Sequence, residues 1–194
     1  MDRSTIVHEN LLARIASGDL PQGKPPSGPL SAEGAVTLWH AACLTRALDR
    51  QSRVMQRAGQ GFYTIGSSGH EGMGAVALAL RPTDMAFLHY RDAAFQIARA
   101  SQVPGQNPTW DMLLSFASSA EDPISGGRHK VLGCAHSFVP PQTSTIASHL
   151  PKAVGAAHSL GMAQRLQLAD AVLPHDAIIL CSFGDASANH STSQ

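Results

Sequence analysis

Two short polar segments of this chain carry residue types that could bind a charged ligand. Tyr90 and Arg91 lie between a predicted strand and a predicted helix, where a phenol, a guanidinium and free backbone amides could receive a phosphate or diphosphate. Gly184 and Asp185 follow an apolar run over residues 177–183. A carboxylate directly after a glycine at a strand end can ligate a divalent metal. Arginine is also common at strand ends, and Asp185 could equally be a helix N-cap.

A third segment, Thr143 to His149, carries four hydroxyl side chains among its first six residues and leads into a predicted helix. These hydroxyls could simply cap the start of that helix. Alternatively, their oxygen atoms and the backbone carbonyls could hold a ligand or a cation, with Ile146 as an apolar contact.

Alternating strands and helices must position these segments. The run over residues 177–183 has no polar alternation, which predicts a strand buried on both faces of a parallel sheet. A strand is also predicted over residues 85–90, and residues 119–145 read as a loop. One face of the first long helix carries Val36, Trp39, Cys43 and Ala47, with Leu44, Leu48 and Met55 beside it, and we expect this apolar surface to be buried. Helices are predicted over residues 31–58, 70–80, 92–100, 110–118 and 147–168. This alternation predicts an α/β fold.

Composition narrows the class of protein. The 194 residues are 43% hydrophobic and 14% charged with zero formal net charge, so nucleic acid and membrane surfaces are poor partners. So little charge suggests that another chain or further sequence covers part of the surface. Three scattered cysteines favour a reducing cytoplasm over a disulfide framework. Residues 1–30 are expected to form a flexible arm before a domain over residues 31–194. Because the chain ends ten residues after Gly184, we expect it to be part of a longer protein.

Six blocks in register give the chain a resemblance to a known family. They are Leu44–Asp49, Gly61–Tyr63 with Gly69–Gly72, Ala79–Asp84, Tyr90–Asp92, Leu150–Ala157 and Phe183–Asp185. Together they resemble the alpha subunit of the thiamine-diphosphate-dependent dehydrogenase component of 2-oxoacid dehydrogenase complexes, over roughly residues 33–194. The resemblance implies a three-layer α/β fold, a parallel sheet flanked by helices with an N-terminal helical arm, of which this chain is a fragment.

The resemblance also implies a binding site for thiamine diphosphate and Mg²⁺. The positions that match cofactor-binding positions are Tyr90, Arg91, Ser144, Ile146, Gly184, Asp185 and Ala186. By resemblance Tyr90 and Arg91 contact the diphosphate, and Asp185 ligates the magnesium ion. Ser144 and Ile146 match the segment around the aminopyrimidine ring, where the branched side chain keeps the cofactor folded.

The implied activity is oxidative decarboxylation of a 2-oxoacid with acyl transfer to a lipoyl group on an acyltransferase component. A branched-chain 2-oxoacid is favoured and pyruvate comes next; an acetoin dehydrogenase subunit or a non-catalytic subunit are the alternatives. Catalytic residues are expected beyond Gln194 and on a beta subunit or fused beta half, in an assembly of the alpha2beta2 type. In branched-chain members, the positions of Thr143, Ser148 and His149 hold a potassium ion, for which an imidazole is a poor ligand.

Overall fold

The computed structural model describes residues 3–23, 28–62, 66–128 and 132–194, so Tyr63 lies outside the described residues. The chain divides into two compact units, Met1–Ala32 and Glu33–Gln194. In the first unit, helix α1 covers Arg3–Ser17 and agrees with the predicted helical arm. The flexibility of that arm stays a prediction.

The second unit alternates helices with short strands. Its elements in chain order are α2 (Ala32–Arg57), α3 (Met73–Ala79), β1 (Met85–Phe87), α4 (Ala93–Ala100), α5 (Pro108–Phe116), β2 (Leu132–Cys134), β3 (Val139–Gln142), α6 (Leu150–Arg165), β4 (Ile179–Cys181) and α7 (Asp185–Ala188). Short 3₁₀ turns follow β2 and α7. Among the described residues, no helix is long and apolar enough to cross a membrane.

The parallel pair β1–β4 positions the candidate site. Met85 pairs with Ile179 and Phe87 with Cys181, and helix α6 packs against both strands. This arrangement confirms the predicted α/β fold. The expectation that β4 is buried on both faces is wrong, because its residues are only partly buried and Ile178 just before it is 53% exposed. Among the described strands only β1 pairs with β4, so no described strand pairs with the other edge of β4.

Helix α2 has the predicted length but buries a different face. It ends just before Gly59, whose φ of +70° is favourable for glycine, as predicted. Val36 and Trp39 are 67% and 64% exposed, so the predicted face is not buried as a whole, whereas Leu48 and Met55 beside it are buried as predicted. The buried residues are Ala41, Thr45, Leu48, Asp49, Ser52 and Met55. Two of the polar side chains on this face have partners there, since Ser52 Oγ donates to the Asp49 carbonyl oxygen at 2.8 Å and Arg53 Nε lies 3.3 Å from Asp49 Oδ1.

The structure between α5 and α6 differs from two predictions. The predicted loop over residues 119–145 contains the antiparallel strands β2 and β3, in which Leu132 pairs with Gln142. The helix predicted from residue 147 begins at Leu150 instead. Ala147 has a φ of +61°, a left-handed conformation that breaks the helical path. Thr143–His149 therefore forms a turn before α6 rather than its first residues.

A buried arginine joins the core to the amino end of β1. Arg99 on α4 is fully buried, and its guanidinium lies 4.6 Å from the centre of the Phe95 ring. Its Nη1 donates to the carbonyl oxygens of Asp84 at 2.7 Å and Ser137 at 3.2 Å. Burial lowers the pKa of Arg99 from its usual value. The carbonyl contacts offset part of the cost of removing this side chain from water.

The Asp84 side chain links the residues just before β4 to the residues just before β1. Its Oδ1 accepts from the backbone N–H of Ile178 at 2.9 Å, and its Oδ2 accepts from the backbone N–H of Arg81 at 2.9 Å. Burial alone would raise the pKa of Asp84, but these hydrogen bonds and the Arg81 guanidinium outweigh it and lower that pKa. The carboxylate thus holds the two strands at the end opposite to the candidate site.

We expect Asp84→Asn to lower the free energy of unfolding by about 2–4 kcal/mol, because an amide nitrogen would face the donors that the buried carboxylate now accepts. The matched control is Asp176→Asn, since Asp176 also pairs with Arg81 but its side chain is 58% exposed. That control should cost less than about 1 kcal/mol. Urea unfolding of both variants measures the difference, and equal losses would contradict the role given to Asp84.

Candidate functional site

The turn that follows β1 presents Tyr90 and Arg91. Asp92 closes this turn, because its Oδ2 accepts from the backbone N–H of His89 at 2.9 Å and its own N–H donates to the His89 carbonyl at 3.0 Å. Asp92 is fully buried, whereas Tyr90 and Arg91 are half-buried. The turn therefore holds a phenol and a guanidinium at the carboxyl end of a strand, as predicted.

Arg91 reaches across to the glycine-rich segment before α3. Its Nη1 donates to the carbonyl oxygen of Gly66 at 2.5 Å, and its guanidinium carbon lies 5.3 Å from the centre of the Tyr90 ring. A Cβ at Gly66 would lie 3.4 Å from Arg53 Nη2 and 3.6 Å from Asp49 Oδ2. Glycine thus allows the backbone to approach three charged side chains. A guanidinium carries five N–H donors, and the contact with Gly66 uses one of them.

The end of β4 lies against the same turn. A Cβ at Gly184 would lie 3.2 Å from His89 Nε2, so the two strand ends touch where only a glycine fits without adjustment. Gly184 is the N-cap residue of α7, and Asp185 is the first residue of that helix, so Asp185 is not itself the N-cap. Asp185 and Ala186 are both exposed. Tyr90, Arg91 and residues 184–186 therefore lie at the same end of the parallel pair, where His89 and Gly184 are in contact.

The third predicted segment reaches this edge through His149. The His149 side chain is buried, and its Nε2 lies 2.6 Å from the carbonyl oxygen of Ser182, just after β4. The hydroxyls bond within the turn rather than cap α6, since Ser148 Oγ donates to the Thr145 carbonyl at 3.1 Å. Ser144 is half-buried and Ile146 is exposed. His149 and Ser148 are thus directed at backbone carbonyls, which does not fit an all-oxygen potassium site.

Sequence reasoning missed a cluster formed by His70, His89 and Asp92. His70 Nδ1 lies 2.5 Å from Asp92 Oδ1, and the rings of His70 and His89 stack with centres 4.7 Å apart and an angle of 20°. The residues come from two separate turns, and no motif spacing links them. The sequence signal available for this cluster was a glycine-rich segment that ends in a polar residue, followed later by polar residues at a strand end.

This cluster is a hydrogen-bonded pair with a stacked neighbour rather than a metal centre. Its three possible ligand atoms lie within 4.8 Å of one another. Imidazole lone pairs lie in the ring plane, however, so two nearly parallel stacked rings do not direct them at one ion. His89 Nδ1 also accepts from the backbone N–H of Arg91 at 3.3 Å.

His89 is held neutral by its surroundings. Burial, followed by the positive charge of His70, Arg91 and His149, lowers the pKa of His89 to about 4. The neutral His89 ring can lie between Gly184, which follows β4, and Arg91, which follows β1, without adding a positive charge to the site.

The side chains at this edge fit a diphosphate with a magnesium ion. Mg²⁺ in proteins is usually bound by one or two carboxylates together with substrate phosphates, and Asp185 offers an exposed carboxylate. Arg91 supplies the donors that a phosphate requires. Gly184 leaves space where a side chain would collide with His89.

Comparison with known proteins gives two findings. The model of the family described as "Dehydrogenase E1 component" matches residues 40–193. A curated relative, the 2-oxoisovalerate dehydrogenase subunit alpha of Bacillus subtilis (strain 168), is 26% identical over 164 residues. The match covers 82% of this chain and 45% of the relative, so the chain spans about half the length of that relative.

We expect acid to destabilise the fold through His89. Below about pH 6.5 the unfolded chain binds a proton at this histidine that the folded chain does not, until the pH falls to the folded pKa of about 4. The free energy of unfolding should therefore fall by up to about 2 kcal/mol from about pH 7 to about pH 5.

The control variant for this experiment is His89→Asn, which removes the titrating group and keeps an acceptor near the N–H of Arg91. Urea unfolding at each pH should give the variant a shallower pH dependence than the parent. Parallel curves would show that His89 does not titrate differently in the folded and unfolded chain.

Proposed function

Because the chain belongs to the family of dehydrogenase E1 components, we propose that it is the alpha part of a thiamine-diphosphate-dependent 2-oxoacid dehydrogenase. The family match confirms the resemblance found in the sequence. The proposed reaction is oxidative decarboxylation of a 2-oxoacid with transfer of the acyl group to a lipoyl arm. The observation that carries the proposal is that Arg91 follows β1 and Asp185 follows β4, so both lie at the carboxyl end of the parallel pair.

Each residue at this edge has a proposed task. Arg91 binds the diphosphate oxygens, and Tyr90 positions the guanidinium from beneath. Asp185 ligates Mg²⁺, while Gly184 and the backbone N–H of Ala186 allow the diphosphate to approach closely. When bound, thiamine diphosphate supplies the nucleophilic carbon that makes loss of carbon dioxide possible.

Residues before α6 are proposed to contact the aminopyrimidine ring. Ile146 is 42% exposed, so its apolar side chain is available to pack against a ligand and to exclude water. Ser144 lies two residues earlier in the same turn and is proposed as a polar contact. The bond between His149 and Ser182 holds this turn against the end of β4.

Substrate and partners belong to the same proposal. A branched-chain 2-oxoacid is favoured, with pyruvate next; the 2-oxoisovalerate dehydrogenase subunit alpha among the relatives supports the first of these. The proposed partners are a beta subunit or fused beta half, in an alpha2beta2-type assembly, and a lipoyl-bearing acyltransferase. Val154 on α6 and Val172 after it are 71% and 80% exposed, which supports cover by further protein. All three cysteines are unpaired, in keeping with a proposed cytoplasmic location.

We expect Asp185→Asn and Arg91→Ala each to weaken binding of thiamine diphosphate with Mg²⁺ by about tenfold or more, since each removes a charge-assisted contact. Isothermal titration of the assembled enzyme with cofactor and Mg²⁺ measures the dissociation constants. The matched controls are Asp170→Asn and Arg165→Ala, both at exposed positions outside the candidate site. They should bind the cofactor like the parent.

The same titrations decide between this function and its main rival. If both site variants bind cofactor as tightly as the parent and retain activity, the chain is a non-catalytic subunit that keeps the fold. If the site variants lose affinity while the controls do not, the diphosphate site lies where we propose it.

A further inference from the structure

Two turns face each other at the candidate site, and two cross-links join them. The first turn contains Gly66 and His70, and the second runs from His89 to Asp92. One cross-link is the contact of Arg91 Nη1 with the Gly66 carbonyl, and the other is the 2.5 Å contact of His70 Nδ1 with Asp92 Oδ1. Each turn therefore contributes one side chain that binds the other turn.

The Asp92 carboxylate is fixed from two directions. Its Oδ2 accepts from the His89 backbone inside its own turn, and its Oδ1 faces His70 in the other turn. The side chain is fully buried, so a lost partner would not be replaced freely by bulk water. The position of His70 is consequently coupled to the conformation of the turn that carries Tyr90 and Arg91.

The glycine-rich turn is also held from its far side. Glu71 Oε2 accepts from the backbone N–H of Gly69 at 2.7 Å, and Glu71 Oε1 lies 3.4 Å from Arg46 Nε on α2. Arg46 Nη1 also donates to Ser68 Oγ. His70 therefore extends from a turn anchored to a long helix, which makes it a firm attachment point for Asp92.

We propose that the His70–Asp92 pair is a positioning device that holds Arg91 in the geometry required to bind the cofactor diphosphate. In this proposal His70 is a positioning residue. It acts through Asp92, which belongs to the turn that carries Arg91. The inference rests on the proposed function, because it assumes that Arg91 binds the diphosphate. It gives His70 and Asp92, which are not among the predicted cofactor contacts, a role in cofactor affinity.

Two substitutions at His70 separate this role from others. His70→Ala removes the donor and leaves Asp92 Oδ1 buried without its partner. His70→Asn places an amide N–H close to the position of the imidazole Nδ1, so it can still donate to Asp92. The positioning role requires the donor at this position and not the imidazole ring.

The experiment measures the dissociation constant for thiamine diphosphate with Mg²⁺, and kcat at saturating cofactor, in the assembled enzyme. We expect His70→Ala to raise the dissociation constant about tenfold, the scale of one hydrogen bond to a buried carboxylate. His70→Asn should restore it to within about threefold of the parent, and kcat at saturating cofactor should change by less than about twofold in both variants.

Two controls isolate the effect. His158→Asn changes an exposed histidine on α6 and should leave cofactor binding unchanged. Asp84→Asn destabilises the fold at the opposite end of β1, so unchanged cofactor affinity in this variant would show that reduced stability by itself does not weaken binding.

Three results would overturn the proposal, and they differ from one another. If Arg91→Ala weakens binding but His70→Ala binds like the parent, the positioning role is wrong and the proposed function stands. If His70→Asn is as weak as His70→Ala, or kcat at saturating cofactor falls in both, the imidazole acts by itself and not as a donor to Asp92. If the parent does not bind thiamine diphosphate, the proposed function fails and this inference fails with it.

Discussion

The register of the parallel strand pair is the constraint on which the rest of the structure depends. Parallel strands are not joined by a tight turn that could fix their register, so distant contacts must set it. Here the buried carboxylate of Asp84 accepts from the backbone of Ile178, which is 94 residues later in the chain. Arg99 holds the Asp84 carbonyl from the other side. A shift of one residue would exchange the faces on which the β4 side chains lie and move Gly184 away from His89.

Charged groups in this fold are buried where they join elements rather than in the centre of an apolar core. Asp84, Asp92 and Arg99 are all buried, and each contacts a residue from another turn, helix or strand. A buried charge is costly unless it is hydrogen-bonded, so each of these groups penalises alternative arrangements of the elements it joins. The candidate site consequently rests on specific polar contacts as much as on apolar packing.

The sequence predicted the class of fold and the place of the site better than it predicted packing. The α/β alternation, the end of α2 at Gly59 and the position of Arg91 and Gly184 at the carboxyl ends of two strands follow from local patterns, and the structure agrees. The buried face of α2 does not follow from residue type, because Thr45, Asp49 and Ser52 lie on it while Val36 and Trp39 are exposed. The pair formed by His70 and Asp92 bridges 22 residues, so it depends on the path of the chain between them.

The long span between Asp84 and Ile178 also governs how this protein can be made. Strand β1 leaves the ribosome well before β4, and synthesis of the intervening residues takes on the order of 5–20 s at typical rates of elongation. During that interval β1 has no partner on the edge that β4 later covers. The carboxyl ends of β1 and β4, which carry Arg91 and Asp185, can therefore come together only after β4 has been made, whereas β3, which also contacts β1, is made earlier.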